Sequence, residues 1–230
     1  MGGKAPDETQ TMRIVYLHGF SSSPGSRKAR LFEKRLVKQS SSLAIPDLNE
    51  PCFSTLTISR VIKKAEHLIG PESRGAIIGS SMGGFAAAHF ASLHPTRVDA
   101  LVLMAPAFNM ARLLEERLGP EGIARWQATG MTEIDHHGFN DKRQLGLEFL
   151  EDARKWAAAP LRIRCPVLIL HGRNDPDVPI ALSERFASSH RNVELVRYEA
   201  GHSLEEVVDD VLERAVSFLE SNTSNDATSN

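Results

Sequence analysis

The residues Gly79-Ser80-Ser81-Met82-Gly83 form a G-x-S-x-G sequence between an apolar, β-branched run and a run of helical character. In this strand–turn–helix context a serine hydroxyl is displayed on a sharp turn, where it can act as a nucleophile. The glycines two positions to either side would let the strand and the helix approach closely. The helix N-terminus would offer the backbone N–H of Met82 to a developing oxyanion. We therefore predict that Ser81 is a nucleophile and that Met82 supplies one oxyanion donor.

A serine hydroxyl is a weak nucleophile near neutral pH, so this chemistry needs a base, and histidine is the usual one. Of the nine histidines, His202 is the best placed, because it follows the last strand-like run and precedes the last helical run. His171 ends an earlier strand-like run, where it could help to shape a site. Packing or surface positions in or beside predicted helices are expected for His67, His89, His94 and His190.

A catalytic imidazole also needs an acid that fixes its tautomer and stabilises the imidazolium. Asp175 and Asp177 both follow the strand-like run that precedes the final one, so both qualify by position. Position alone does not choose between these two aspartates.

Other chemistries find little support in the chain. Cys52 and Cys165 are far apart and lack zinc-ligand spacing, so two reduced thiols are expected. Asp135, His136 and His137 carry metal-compatible side chains, but adjacent histidines do not converge on one ion as an i, i+4 pair would. No metal and no cofactor are predicted. The net charge of −2 gives no reason to expect nucleic acid as a partner.

The elements that must position these residues follow the alternating pattern of an α/β protein with a parallel sheet covered on both faces. Apolar runs predict six strands, at 12–17, 42–46, 75–79, 98–105, 166–171 and 193–199. Apolar residues at helical spacing predict one helix over 56–69 and another over 204–219. Ser203 and Glu206 stand in capping-box spacing, which predicts that the last helix begins just after His202.

The interval from 108 to 164 is too long for an ordinary connection and carries two amphipathic patterns, so we predict a helical lid inserted into a single domain of residues 1–230. The second pattern opens with Asp141 and Gln144 in capping-box spacing. Three large side chains of this insert are candidates either for a substrate pocket or for packing of the lid: Trp126, Met131 and Phe139. The small polar residues of 221–230 predict a disordered tail.

Four separated segments, YLHGF, GSSMGG, HGRNDPDVP and AGHS, resemble the α/β-hydrolase superfamily in sequence, order and spacing over residues 12 to 220. The resemblance implies a reduced, mostly parallel sheet of about six strands. It implies that the backbone N–H of Phe20, which follows His18-Gly19, is the second oxyanion donor, with His18 itself a packed loop residue. The pattern H-G-x-x-D-x-x-V-P falls on Asp175 and favours it over Asp177 as the acid.

The longer segment YLHGFSSSPGSRKA is similar to the start of the small YqiA-type esterases, which also use a GSS-x-GG elbow. The resemblance implies a serine hydrolase that cleaves carboxylic esters of small to medium acyl groups, with a small-molecule ester as its partner. Two alternatives stay open, an acyl thioesterase and a non-catalytic small-ligand receptor on the same fold. The polar start MGGKAPDETQ lacks a secretory pattern and no run is long enough to span a bilayer, so a cytoplasmic location is expected.

Overall fold

The computed structural model describes residues 12–37 and 42–223, and it contains a six-stranded sheet in which every neighbouring pair is parallel. The strands of this sheet are β1 (Arg13–Leu17), β2 (Ser42–Ala44), β3 (Gly75–Ser80), β4 (Val98–Met104), β7 (Val167–Gly172) and β8 (Val193–Tyr198). Their spatial order is β2-β1-β3-β4-β7-β8. The six predicted strands are therefore confirmed, with ends displaced by at most two residues.

Helices cover both faces of this sheet. They are α1 (Arg27–Val37), α2 (Ile58–Ile69), α3 (Met82–Leu93), α4 (Met110–Thr129), α5 (Glu148–Ala158), α6 (Ala181–Ser189) and α7 (Val208–Thr223). Val15 and Leu17 of β1 point toward the layer formed by α2 to α6, whereas Ile14 and Tyr16 point toward α1 and α7. Burial of each such side chain stabilises the fold by roughly 1.5–3 kcal/mol. These two apolar layers fix the sheet, and with it the edge where the strands end.

The insert of residues 108–164 is not purely helical, which corrects our prediction. Between α4 and α5 lies an antiparallel hairpin of β5 (Met131–His136) and β6 (Asp141–Gly146). Asp141 and Gln144 pair within this hairpin and do not cap a helix; α5 begins at Glu148 instead. The strands were missed because they are mostly polar and exposed, so they lack the apolar alternation of a half-buried strand.

The C-terminal helix also differs from the sequence expectation. A short 3-10 helix occupies Glu205–Val207, and α7 begins only at Val208, so the predicted capping box is absent. Glu206 accepts a hydrogen bond from the backbone of Gly201 at 3.4 Å, which draws it into the loop that carries His202. The helix continues to Thr223, so residues 221–223 are ordered, whereas the rest of the predicted tail lies outside the described residues.

Across residues 12–37 and 42–223, none of the helices combines the length and the apolar character that crossing a membrane would require.

Candidate active site

Ser81 lies on a sharp turn between β3, which ends at Ser80, and α3, which begins at Met82. Its backbone has φ 51° and ψ −114°, an unfavourable conformation for a residue with a side chain. Three backbone hydrogen bonds hold it there. Its N–H donates to Met104 at 2.9 Å, and its carbonyl accepts from Phe85 at 3.0 Å and from Ala107 at 3.1 Å. The strained turn displays the Ser81 side chain at the carboxyl edge of the sheet.

Gly83 lets α3 pass directly against the loop after β1. A Cβ atom at this position would lie 2.1 Å from the carbonyl oxygen of Leu17 and 2.6 Å from that of His18. Both obstacles are backbone atoms, which cannot swing aside as a side chain can. The second glycine of the G-x-S-x-G sequence is thus required by close packing of the helix against the loop after β1.

We expect Gly83→Ala to lower the free energy of unfolding by more than about 4 kcal/mol or to prevent folding, because α3 would have to move away from β1. Gly201→Ala is the matched control, since a Cβ at Gly201 would meet nothing closer than 3.8 Å. Urea unfolding of both variants checks this expectation. Equal stabilities would show that the turn tolerates a wider separation than the packing indicates.

Asp175 lies just beyond the end of β7, and its side chain is fully buried. Its Oδ2 accepts hydrogen bonds from His202 Nδ1 at 2.7 Å and from His171 Nε2 at 3.1 Å. Its Oδ1 accepts from the backbone N–H groups of Asp177 at 2.9 Å and Val178 at 2.8 Å. Burial by itself raises the pKa of Asp175, but the hydrogen bonds from both histidines and from Val178 hold that pKa well below its usual value. Asp175 is therefore ionised and oriented toward His202.

His171 supports the same carboxylate from the opposite side. Its Nε2 lies 3.0 Å from the carbonyl oxygen of Val178 and 3.1 Å from Asp175 Oδ2, and both are acceptors, so Nε2 carries the proton. Its Nδ1 is 2.8 Å from Ser183 Oγ, which then donates. The sequence placed His171 at a strand end near the site, and the structure gives it the role of fixing Asp175.

Asp177 occupies a different environment from Asp175. It is exposed, and only its backbone N–H takes part in the contacts around Asp175. In the part of the chain that the structure describes, Asp175, Asp177 and His202 are the one group able to offer three metal-ligand atoms, which lie within 4.8 Å of one another. The Asp175 oxygens already accept four hydrogen bonds, so this carboxylate is occupied by donors of the protein, including His202.

The predicted oxyanion donors lie on two segments that meet at Ser81. Met82 opens α3, so its N–H belongs to the helix N-terminus. The loop that carries Phe20 passes close by, since a Cβ on Gly19 would lie 3.5 Å from Cβ of Ser81. His18 is buried as predicted and pins this loop, with Nδ1 donating to Gly19 at 2.9 Å and Nε2 accepting from Leu48 at 3.1 Å. Burial lowers the pKa of His18, in keeping with this neutral ring.

The hairpin of the insert is hydrogen-bonded to the same loop. Gly138 donates its N–H to the carbonyl of Ser21 at 2.9 Å. Asn49 donates through Nδ2 to the carbonyl of Ser22 at 2.9 Å, and its Oδ1 lies 3.1 Å from Nε2 of the buried His136. The loop that carries Phe20 is therefore held both by the segment after β2 and by the insert.

Ser81 and His202 line two cavities that flank them. The first, which we call the insert-side cavity, has a volume of about 430 Å³ and is walled by Met110, Leu113 and Leu114 of α4. The second, the serine-loop cavity, has a volume of about 620 Å³ and is walled by the segment 21–28. Within residues 12–37 and 42–223, the Ser81 hydroxyl makes no hydrogen bond; catalytic contacts of this kind often tighten only when substrate binds.

None of the three residues predicted for the pocket lines either cavity. Trp126 is fully buried and donates from Nε1 to the carbonyl of Leu145 at 3.1 Å, so it anchors α4 onto the hairpin. Phe139 stacks on His136 with ring centroids 4.4 Å apart, and Met131 is 40% exposed on β5. The apolar wall comes instead from the start of α4, whose leucines the sequence marked only as an amphipathic pattern.

Known structures with the same architecture include two that align over almost the whole chain. The mouse alpha/beta hydrolase domain-containing protein 10 has a TM-score of 0.76 at 19% identity and covers 96% of this chain and 92% of its own. Est1E from Butyrivibrio proteoclasticus, solved with ferulic acid, has a TM-score of 0.74 at 19% identity, with coverages of 92% and 89%. At these identities the similarity establishes the α/β-hydrolase fold.

Among curated proteins, the mitochondrial palmitoyl-protein thioesterase ABHD10 of Bos taurus is 26% identical over 157 residues, covering 58% of this chain and 45% of the relative. The human acylamino-acid-releasing enzyme is 27% identical over 241 residues, covering 89% and 30%. The chain thus spans less than half the length of these two relatives. The model of UPF0227, described as an uncharacterised protein family, matches residues 13–220. This match takes in all six sheet strands together with Ser81, Asp175 and His202, and the chain belongs to the UPF0227 family and has the α/β-hydrolase fold.

Proposed function

We propose that this protein is a serine hydrolase that cleaves carboxylic esters of small to medium acyl groups through an acyl-enzyme on Ser81. The observation that carries the proposal is the path from the buried Asp175 through a 2.7 Å hydrogen bond to His202, which lines the same cavities as Ser81. A nucleophile, a base and an acid that orients the base are the parts that acyl transfer requires. The names of the two curated relatives, a palmitoyl-protein thioesterase and an acylamino-acid-releasing enzyme, support the same chemistry.

In the first half of the reaction, Oγ of Ser81 attacks the ester carbonyl while His202 Nε2 takes its proton. The backbone N–H groups of Phe20 and Met82 stabilise the negative oxygen of the tetrahedral intermediate. When this intermediate collapses, the bond from the carbonyl carbon to the leaving oxygen breaks, and His202 gives that oxygen the proton. The ionised Asp175 stabilises the transient imidazolium.

In the second half, water attacks the acyl-enzyme and transfers a proton to His202. The bond from the acyl carbon to Ser81 Oγ then breaks, and His202 returns its proton to Ser81. The products are one alcohol and one carboxylic acid, and the enzyme is regenerated without a cofactor. The insert-side cavity, with its apolar wall of Met110, Leu113 and Leu114, suits the acyl chain.

Thioester hydrolysis is the second candidate, because the bovine relative carries the name of a palmitoyl-protein thioesterase. The same serine mechanism cleaves both bonds, and only the leaving atom differs. Esters and thioesters that share an acyl group therefore have to be compared directly.

We expect the protein to hydrolyse p-nitrophenyl esters, with the highest kcat/KM at a short or medium acyl length. A series of these esters and of matched thioesters, from acetyl to dodecanoyl, measures both preferences. A fluorophosphonate should also label Ser81 covalently, which peptide mass spectrometry detects. Folded protein that turns over no member of the series and resists labelling would exclude the hydrolase and favour a small-ligand receptor.

A further inference from the structure

The serine-loop cavity differs from the insert-side cavity in the sign of its charges, since the insert-side cavity is lined by Glu116, Asp135 and Asp177 against one cation, Arg117. The wall of the serine-loop cavity includes the hydroxyl-bearing residues Ser22, Ser23 and Ser26, the cationic Arg27 and Lys28, and one carboxylate, that of Glu205. All of these residues except Glu205 belong to one continuous segment, the loop after β1 together with the first turn of α1. Polar groups and two cations against one carboxylate thus line this cavity beside the nucleophile, whereas α4 gives the insert-side cavity an apolar wall.

The two cations of this wall are not equivalent. Arg27 is exposed and forms an ion pair with Glu205 at 3.1 Å. Lys28 is partly buried and forms no hydrogen bond or ion pair among the residues that the structure describes, although the carboxylates of Glu205 and Asp175 lie near enough to stabilise its charge. Because a partly buried ammonium group without a direct hydrogen-bond partner is costly, Lys28 can bind an anion that enters the cavity.

The placement of His202 relates this cavity to the reaction. His202 and the adjacent Ser203 both line it. In acyl transfer the histidine must protonate the leaving atom, so the leaving group has to lie next to the imidazole. With the acyl chain against the apolar wall of the insert-side cavity, the serine-loop cavity is the space that remains for the leaving group.

We propose that the serine-loop cavity is a leaving-group subsite. It selects esters or thioesters whose leaving group carries an anionic group such as a carboxylate, which pairs with Lys28. This inference rests on the proposed hydrolase function and specifies its substrate class. The serine hydroxyls supply further donors to the same anion. The reaction itself is unchanged, since the anionic group stays on the departing alcohol or thiol.

A matched pair of substrates tests this proposal. One is ortho-nitrophenyl octanoate and the other is the same ester with a carboxylate on the ring. We expect Lys28→Met to lower kcat/KM for the carboxylate ester by about ten- to a hundredfold, the size of a charge-assisted hydrogen bond, and to leave the neutral ester nearly unaffected. Lys28→Arg should retain most of the preference, and Lys34→Met, on the exposed face of the same helix, should leave both rates unchanged.

Equal losses on both esters in Lys28→Met would overturn the subsite, because they would assign Lys28 to the structure of the loop. If the wild-type protein cleaves neither ester, the hydrolase proposal fails, but the subsite is still tested by calorimetry. The nitrohydroxybenzoate leaving group should then bind the Ser81→Ala protein and lose this binding when Lys28→Met is added. Absence of binding would refute the anion site.

The preference for the carboxylate ester over the neutral ester should also depend on pH. Burial lowers the pKa of Lys28 to about 8, against the raising effect of the nearby Glu205 and Asp175. A lysine is charged below its pKa, so discrimination in favour of the carboxylate ester should be largest below about pH 8 and should decline above it. The other titratable groups lining this cavity are Tyr16, Arg27, His137, His202 and Glu205. The ratio of the two kcat/KM values cancels effects of His202 that act equally on both esters.

Discussion

Replacing Ser81 by alanine is expected to lower kcat for p-nitrophenyl esters by about a millionfold, because removal of a nucleophilic serine leaves only the oxyanion donors and substrate binding. The strained backbone at position 81 supports this expectation, since the turn serves to display a side chain. Alanine tolerates this backbone no better and no worse than serine does. The fold should therefore be retained.

Steady-state hydrolysis, with circular dichroism as a check of folding, measures this loss. Ser217→Ala, an exposed position on α7, serves as the control and should match the wild-type rate. Substantial turnover by Ser81→Ala would mean that another residue attacks the ester. The fluorophosphonate adduct should disappear in the same variant.

Replacing Asp175 by asparagine is expected to lower kcat by about ten thousandfold. The carboxylate accepts the proton of His202 Nδ1 at 2.7 Å, whereas an amide can present its N–H₂ group there and favour the wrong tautomer. The variant also loses the charge that stabilises the imidazolium. Because burial and four hydrogen bonds hold the side chain in place, the loss should appear in kcat more than in KM.

Asp177→Asn gives the sharpest comparison, since this aspartate is exposed and its carboxylate does not contact Asp175 or His202 through a hydrogen bond in the described chain. We expect Asp177→Asn to lower kcat by less than about tenfold. Stopped-flow or steady-state assays of both variants on one ester rank the two acids. A larger loss in Asp177→Asn would reverse the assignment and make Asp175 a structural residue.

The sheet could be predicted from sequence because parallel strands buried on both faces read as continuous apolar runs. The turn around Ser81 could be predicted because glycine is required where backbones nearly touch, as at Gly83. The choice of Asp175 over Asp177 needed the family pattern, since both carboxylates follow the same strand. Only the structure reveals the contacts that distinguish them, the hydrogen bonds from His171 and His202.

The insert and the pocket were beyond prediction from the residues for a different reason. The β5–β6 hairpin is polar, and each of its strands is held in the extended conformation by pairing with the other strand. Trp126 is as apolar as a pocket residue would be. Its burial depends on the packing of α4 against β6, where it donates a hydrogen bond to Leu145. Lys28 likewise looks like an ordinary helix residue until the loop after β1 places it beside Ser81.

The hydrogen bond from Gly138 to Ser21 has a consequence for how this enzyme could change during evolution. In many scaffolds, loops that select substrates vary freely while the catalytic frame stays constant. Here the insert that contributes a wall to the insert-side cavity, where we propose that the acyl group binds, also holds the segment that carries Phe20, the proposed oxyanion donor. Mutations that reshape the insert to admit a new acyl group would therefore alter the rate of the chemical step at the same time, and specificity and turnover would have to evolve together.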